Sequence, residues 1–315
     1  MNRRSVIPVA LALLMLASAS AGCTPGDPPL SVPRSKLAAA LSCPDRFTSD
    51  RQSVLLVHGT FTNPEENFGW NYAGVLPERG YDVCTVRLPG RALEDIQVAS
   101  EYVVFAVRQM HAASDRRVDI LGHSQGGLEP RWALRWWPSL RTQVDDLVTL
   151  ASPHHGTVVA DAAAVNGCVP ACLQMRRSAR FIAALNSVDE TPGPVSYTAV
   201  YTLTDELVQP VAPTPTAALA GASNILVQDL CPGRPVDHVG VVYDAAVHDM
   251  VIDAFTRRGP ADPDRFDEET CAQVAFDGVD EAALPGFVAA LDGMDEFSNT
   301  PNSRDEPPLK PYARS

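Results

Sequence analysis

The chain has 315 residues, of which 45% are apolar and 20% charged. Those proportions support a folded core of ordinary size and exclude a disordered or fibrous chain. The formal net charge of −13 repels phosphate backbones, which excludes nucleic acid as a partner.

Residues 1–22 read as an export signal. Arg3 and Arg4 precede an apolar run from Val6 to Ala17, and small residues follow. The run is shorter than the roughly 20 residues that cross a bilayer, and no later segment is long and apolar enough to do so. Two processing routes fit. Ala19-Ser20-Ala21 suits cleavage for free secretion. Ser20-Ala21-Gly22-Cys23 is lipobox-like and would place a lipid on Cys23, giving a membrane-anchored lipoprotein. The seven cysteines are Cys23, Cys43, Cys84, Cys168, Cys172, Cys231 and Cys271. An odd thiol is awkward in an oxidising compartment, and lipidation of Cys23 leaves six that can all pair. Residues 23–45 are rich in proline and small residues and read as a tether plus an entry segment to the domain.

From about residue 50 short apolar strands alternate with helical stretches. Strands are predicted at 53–57 (SVLLV), 81–86 (YDVCTV), 118–121 (VDIL), 146–151 (DLVTLA), 197–203 (YTAVYTL) and 224–230 (NILVQDL). Helices are predicted over 92–112, where Leu93, Ile96, Val103, Val104 and Val107 share a face, over about 125–137, and over about 240–257. This alternation predicts an α/β fold with a mostly parallel central sheet and helices on both faces. The catalytic domain is expected to span 46–295. A small helical cap is expected at about 157–190, where the rhythm breaks, and an extended C-terminal arm at 296–315. In such sheets the chemistry collects at the carboxyl ends of the strands.

GHSQG (122–126) fits the G-x-S-x-G pattern directly after one strand and before a helix. Gly122 and Gly126 let the two backbones approach, and Ser124 is raised as a nucleophile at a helix N-terminus. Pro130 in that helix removes one backbone hydrogen bond and is a candidate kink. A serine nucleophile needs donors for the tetrahedral oxygen. The backbone N–H of Gln125 is one candidate. Thr60, on the loop after SVLLV, is the other, with its N–H and its hydroxyl, and His58 is expected to support that loop.

In this arrangement the acid and then the histidine follow the serine along the chain. Asp205 and Glu206 in TDELVQP follow the fifth strand, and His238 in VDHVG follows the sixth. His248 is the rival base, but it shares a helical stripe with Val241, Ala245 and Ile252 and reads as a packed helix residue. His154 and His155 are expected at the mouth of the site. Together with Cys168 and Cys172 they suggest a metal set, but C-x-x-x-C lacks zinc spacing and export favours a disulfide.

The stretches VLLVHGT, GYDVC, SQGGL, WWPSLRTQVD, GTVVAD, YTLTDELVQP, VDHVG and PYAR run in order through most of the mature chain. In them the sequence resembles the Candida antarctica lipase B-like lipases of the α/β-hydrolase family. The resemblance implies Ser124 as nucleophile, Asp205 rather than Glu206 as acid, His238 as base, and Thr60 and Gln125 as oxyanion donors. It also implies disulfides Cys43–Cys84 and Cys231–Cys271, leaving Cys168–Cys172 to pair within the cap. The sequence departs from the family at His123, where a tryptophan precedes the nucleophile, and in having no cysteine after Cys271. DEAALPGFVAALDG (280–293) is either a mobile wall of the site or plain domain packing.

The expected function is therefore a secreted carboxylic-ester hydrolase, a triacylglycerol lipase in the first instance. The alternatives are a short-chain or polymer esterase or acyltransferase with the same triad, or a non-catalytic lipid- or partner-binding protein. An ester or lipid substrate, a monomer and no metal or organic cofactor are expected.

Overall fold

In the computed structural model, which describes residues 26–292 and 301–314, seven strands form one sheet. They are β1 (Leu41–Ser42), β2 (Ser53–Val57), β3 (Val83–Val86), β4 (Val118–His123), β5 (Val144–Leu150), β6 (Ser196–Tyr201) and β7 (Ser223–Leu226), in the spatial order 1-3-2-4-5-6-7. β1 pairs antiparallel with β3, and every other neighbouring pair is parallel. The export signal and Cys23 lie outside the described residues.

The helices are α1 (Arg34–Ala39), α2 (Pro64–Phe68), α3 (Tyr72–Glu78), α4 (Ile96–Ser114), α5 (Leu128–Trp136), α6 (Val158–Ala163), α7 (Pro170–Gln174), α8 (Arg180–Leu185), α9 (Val227–Leu230), α10 (Ala245–Thr256) and α11 (Leu284–Asp292). Side-chain caps start several of them. Asp95 accepts from Gln97 N at α4, and Asp244 accepts from Ala246 N and Val247 N at α10. β2 and β4 are buried along their whole length, as strands covered on both faces must be. Leu55, Val57 and Ile120 pack toward α4 and α5, and Val54, Leu56 and Leu121 toward α3 and α10. The register sets Val57 beside Val86 and Gly122, His123 beside Leu150, and Leu150 beside Val200. The carboxyl ends of five strands therefore finish at one level.

Several predicted boundaries move. The run at 224–230 divides after Leu226 into β7 and the single turn α9, because a short apolar run suits a strand and a buried helix equally. The helix expected from 240 begins at Ala245, after a short 3-10 turn. Pro130 is the third residue of α5, where its missing N–H costs no bond within that helix.

Residues 26–45 are not a free tether. Asp27 pairs with Arg108 at 2.5 Å, Trp137 Nε1 donates to Pro28 O at 2.8 Å, and the backbone N–H groups of Ser31 and Val32 donate to the buried Glu101. Leu37 is buried in the core, and β1 adds an edge to the sheet. Proline-rich composition suggested a linker, but the partners that hold this segment lie between 41 and 112 residues away.

Between β5 and β6 the helices α6 and α7 lie over the carboxyl ends of the strands, and α8 packs against α5 and α7. The C-terminal segment crosses them: Ser303 and Cys168 exchange backbone hydrogen bonds, and Glu306 accepts from Arg180 N and Phe181 N. Disulfides join Cys43–Cys84, Cys168–Cys172 and Cys231–Cys271.

Candidate active site

Ser124 stands at the turn between β4 and α5 with a φ of 55°, in the left-handed region that a non-glycine residue enters at a cost. The turn is too tight for side chains on its glycines. A Cβ at Gly122 would strike Gly126 O, and one at Gly126 would strike Val57 O. The serine is thereby lifted off the sheet toward a cavity of about 990 Å³. Thr60, His123, Ser124 and His238 share the lining of that cavity with Ala160, Val169 and Leu284.

The acid and the histidine come from the loops after β6 and α9. His238 Nδ1 lies 3.1 Å from each carboxylate oxygen of Asp205. Asp205 Oδ1 also accepts from Leu207 N at 2.9 Å and Val208 N at 2.8 Å, which fixes the carboxylate. Glu206 has a different contact: it accepts from His238 N at 3.0 Å and holds the backbone rather than the ring. Burial alone would push His238 down. The Asp205 carboxylate outweighs it, with help from Glu206 and Asp237, and holds the imidazole above the ordinary histidine value. Burial would raise Asp205, but His238 and the two N–H donors carry it below the usual carboxylate range.

Thr60 Oγ1 donates to Gln125 Oε1 at 2.7 Å, and Gln125 Nε2 donates to Glu129 Oε1 at 2.8 Å. The loop carrying Thr60 is tied back by Asn67, whose Oδ1 accepts from Gly59 N at 2.9 Å. His58 packs behind it, accepting from Leu88 N through Nε2 at 3.0 Å, and burial pushes it down to about 4. His123 spans Asn67 Oδ1 at 3.1 Å and the His238 carbonyl at 3.0 Å, and burial pushes it down to about 3. Asn67, Glu129 and this bridging role of His123 were missed in the sequence. Only Glu129 left a signal, four residues after Gln125 on one helix face.

His154 and His155 do not line the cavity. His154 is fully buried, with Nε2 at 3.0 Å from Thr149 Oγ1, and His155 pairs with Glu190 at 3.0 Å. Pro153 and Thr157 take their place on the wall. Cys168 and Cys172 are joined to each other. His248 is buried against Phe276 and Tyr72 in the core beneath α10. Among the described residues, the carboxylates close enough to share an ion are Asp119, Asp145 and Asp146, at the amino ends of β4 and β5, opposite the cavity.

α11 contributes in two ways. Phe287 is buried against Trp70, and Leu284 and Val288 face the cavity.

Comparison with known proteins places this arrangement. A family model described as a domain of unknown function, DUF7379, matches residues 33–224. Lipase B of Pseudozyma antarctica is 34% identical over 223 residues, which are 68% of this chain and 65% of that protein. A triacylglycerol lipase of Burkholderia plantarii is 31% identical over 159 residues, 48% of this chain and 40% of that protein. The match thus spans less than two thirds of these curated relatives. The crystal structure of Aspergillus fumigatus lipase B superposes with a TM-score of 0.86 at 30% identity, covering 99% of this chain and 78% of that one. The chain belongs to the DUF7379 family and, within the α/β-hydrolases, to the lipase B group.

Proposed function

We propose that this protein is an exported serine hydrolase of carboxylic esters, acting on lipid esters with long acyl chains. The observation that carries the reading is the Asp205–His238 pair, 3.1 Å apart, facing the same cavity as a serine held at positive φ. The relatives' names, lipase B and triacylglycerol lipase, support it. So does the apolar wall formed by Ala160, Val169, Leu284 and Val288. Three disulfides support an oxidising compartment.

In this reading Ser124 attacks the ester carbonyl while His238 takes its proton. Asp205 holds the imidazole by Nδ1 and stabilises its cationic form. The oxyanion is held by donors at Thr60 and the Gln125 backbone N–H, each worth about 10²–10³ in rate. His238 then protonates the leaving alcohol, and water hydrolyses the acyl-enzyme by the same path reversed.

The test is hydrolysis of p-nitrophenyl esters from C2 to C16 by the mature protein, with Ser124→Ala as control. Turnover at C12–C16 that vanishes in the variant supports a lipase. Turnover confined to C2–C6 replaces it with an esterase. Inactivity of both folded proteins removes the hydrolase reading. Mass spectrometry of the mature N-terminus decides between a free chain and one lipidated at Cys23.

A further inference from the structure

Glu129 is wholly buried one helical turn beyond Gln125, and among the described residues its Oε2 has no hydrogen-bond partner. Its one side-chain partner among the described residues is the Gln125 amide. No charged side chain on α4, α8 or β4, or on the 3-10 segments 124–127 and 138–142, the elements packed on α5, bears on its ionisation. Arg131 on the same helix turns instead to Asn186, Glu190 and His154. A carboxyl group buried away from any cation is held neutral, and burial pushes Glu129 up to about 8.

A neutral acid has one O–H, and that proton needs an acceptor. On Oε2 it would be buried with none. On Oε1 it faces Gln125. The glutamine amide fills the same space when turned over, so the two ends of the row choose its orientation together. Opposite a carboxylate, the amide NH₂ turns to Glu129 and the amide oxygen takes the Thr60 hydroxyl proton, as in the structure. Opposite a neutral acid, the amide oxygen accepts from Glu129 and the NH₂ donates to Thr60 Oγ1. The Thr60 proton is then free to point into the cavity.

We propose that Glu129, as an undissociated acid, is a positioning residue that turns the Gln125 amide and so releases the Thr60 hydroxyl to donate to the oxyanion. This rests on the ester-hydrolase reading above. Ionisation of Glu129 reverses the row and captures the Thr60 proton. The buried acid thereby limits the enzyme on its alkaline side, independently of His238.

The test is kcat and KM across pH 6 to 10 for the wild type, Glu129→Gln, Glu129→Leu, Thr60→Val and the Glu129→Leu/Thr60→Val double variant. Thermal melts verify folding, and Ser124→Ala is the control. Wild-type kcat falls as pH rises through about 8. Glu129→Gln, which has no ionisable proton and offers both donor and acceptor, lacks that fall. Glu129→Leu lowers kcat roughly tenfold with KM little changed, a part of the 10²–10³ that a lost donor costs. It keeps less activity than Glu129→Gln and adds nothing once Thr60→Val has removed the hydroxyl. An alkaline fall that persists in Glu129→Gln overturns the proposal. So do Leu and Val effects that multiply. If Glu129→Leu does not fold, the wild-type and Gln profiles decide alone. Turnover retained by Ser124→Ala brings down the hydrolase reading and the proposal with it, whereas a dead Ser124→Ala beside a Gln profile identical to wild type brings down the proposal only.

Discussion

His123 Nε2 lies 3.0 Å from the carbonyl oxygen of His238, so the residue before the serine holds the backbone of the residue proposed as base. Their rings sit 5.0 Å apart and tilted, with His123 a nearly buried part of the cavity lining. Replacing His123 with alanine frees the His238 loop without touching the Asp205 contact. The expected result is a fall in kcat of roughly threefold to tenfold, about the worth of one hydrogen bond near 1 kcal/mol. Because burial keeps His123 neutral down to about pH 3, the loss is the same at pH 6 and pH 9. A loss that changes across that range shows that His123 titrates during turnover.

The acidic side of the rate profile belongs to His238. A base works unprotonated, and its pKa is raised, so activity is lost as pH falls through a midpoint above the ordinary 6.5. Asp205→Asn removes the main raising influence and leaves burial opposed only by Glu206 and Asp237, so the midpoint moves down while kcat drops about 10⁴-fold. The stability effect has a window set by both partners. The pair attracts only above the depressed pKa of Asp205 and below the raised pKa of His238. Melting temperatures of wild type and Asp205→Asn, compared at pH 5 and pH 9, read this out: the larger gap is expected at pH 5.

The disulfides differ in what they close. Cys43–Cys84 spans 41 residues and Cys168–Cys172 spans 4. Loop-closure entropy gives the long bridge about 4 kcal/mol and the short one about 2 kcal/mol. Paired serine substitutions followed by denaturant melts check the order. A greater loss from the short bridge would show that it holds the cap by contacts rather than by chain entropy.

α11 separates packing from lining within adjacent residues. Phe287→Ala empties a buried site against Trp70 and is expected to cost about 3–5 kcal/mol of stability. Val288→Ala changes the cavity wall and is expected to leave the melting temperature within experimental error while shifting the preferred acyl length. Equal effects of both on stability, with no change in chain-length profile, would make this helix packing alone.

Most of the parallel sheet was legible because short, apolar-rich, largely β-branched runs alternate with helical stretches, and GHSQG marked the turn after β4. Order along the chain singled out Asp205, Glu206 and His238. Glu206 and Asp205 differ by one position; the resemblance favoured Asp205, and the folded loop brings Asp205 to the ring and Glu206 to the backbone. Residues 26–45 were misread for a similar reason: their partners Glu101, Arg108 and Trp137 are remote, and composition carries no signal of them. His154 and His155 followed a strand like the proposed site residues, but their polar partners, Thr149 and Glu190, draw them away from the cavity.

The segment around Ser303 to Tyr312 touches Cys168, the start of α8, Gln97 in α4 and Trp132 in α5. Those partners were all synthesised earlier, between about 130 and 210 residues upstream. A chain leaving the ribosome can therefore assemble its sheet well before its cap is latched. Docking of 303–312 onto the cap, α4 and α5 is therefore a late step, taken on a sheet that has already formed.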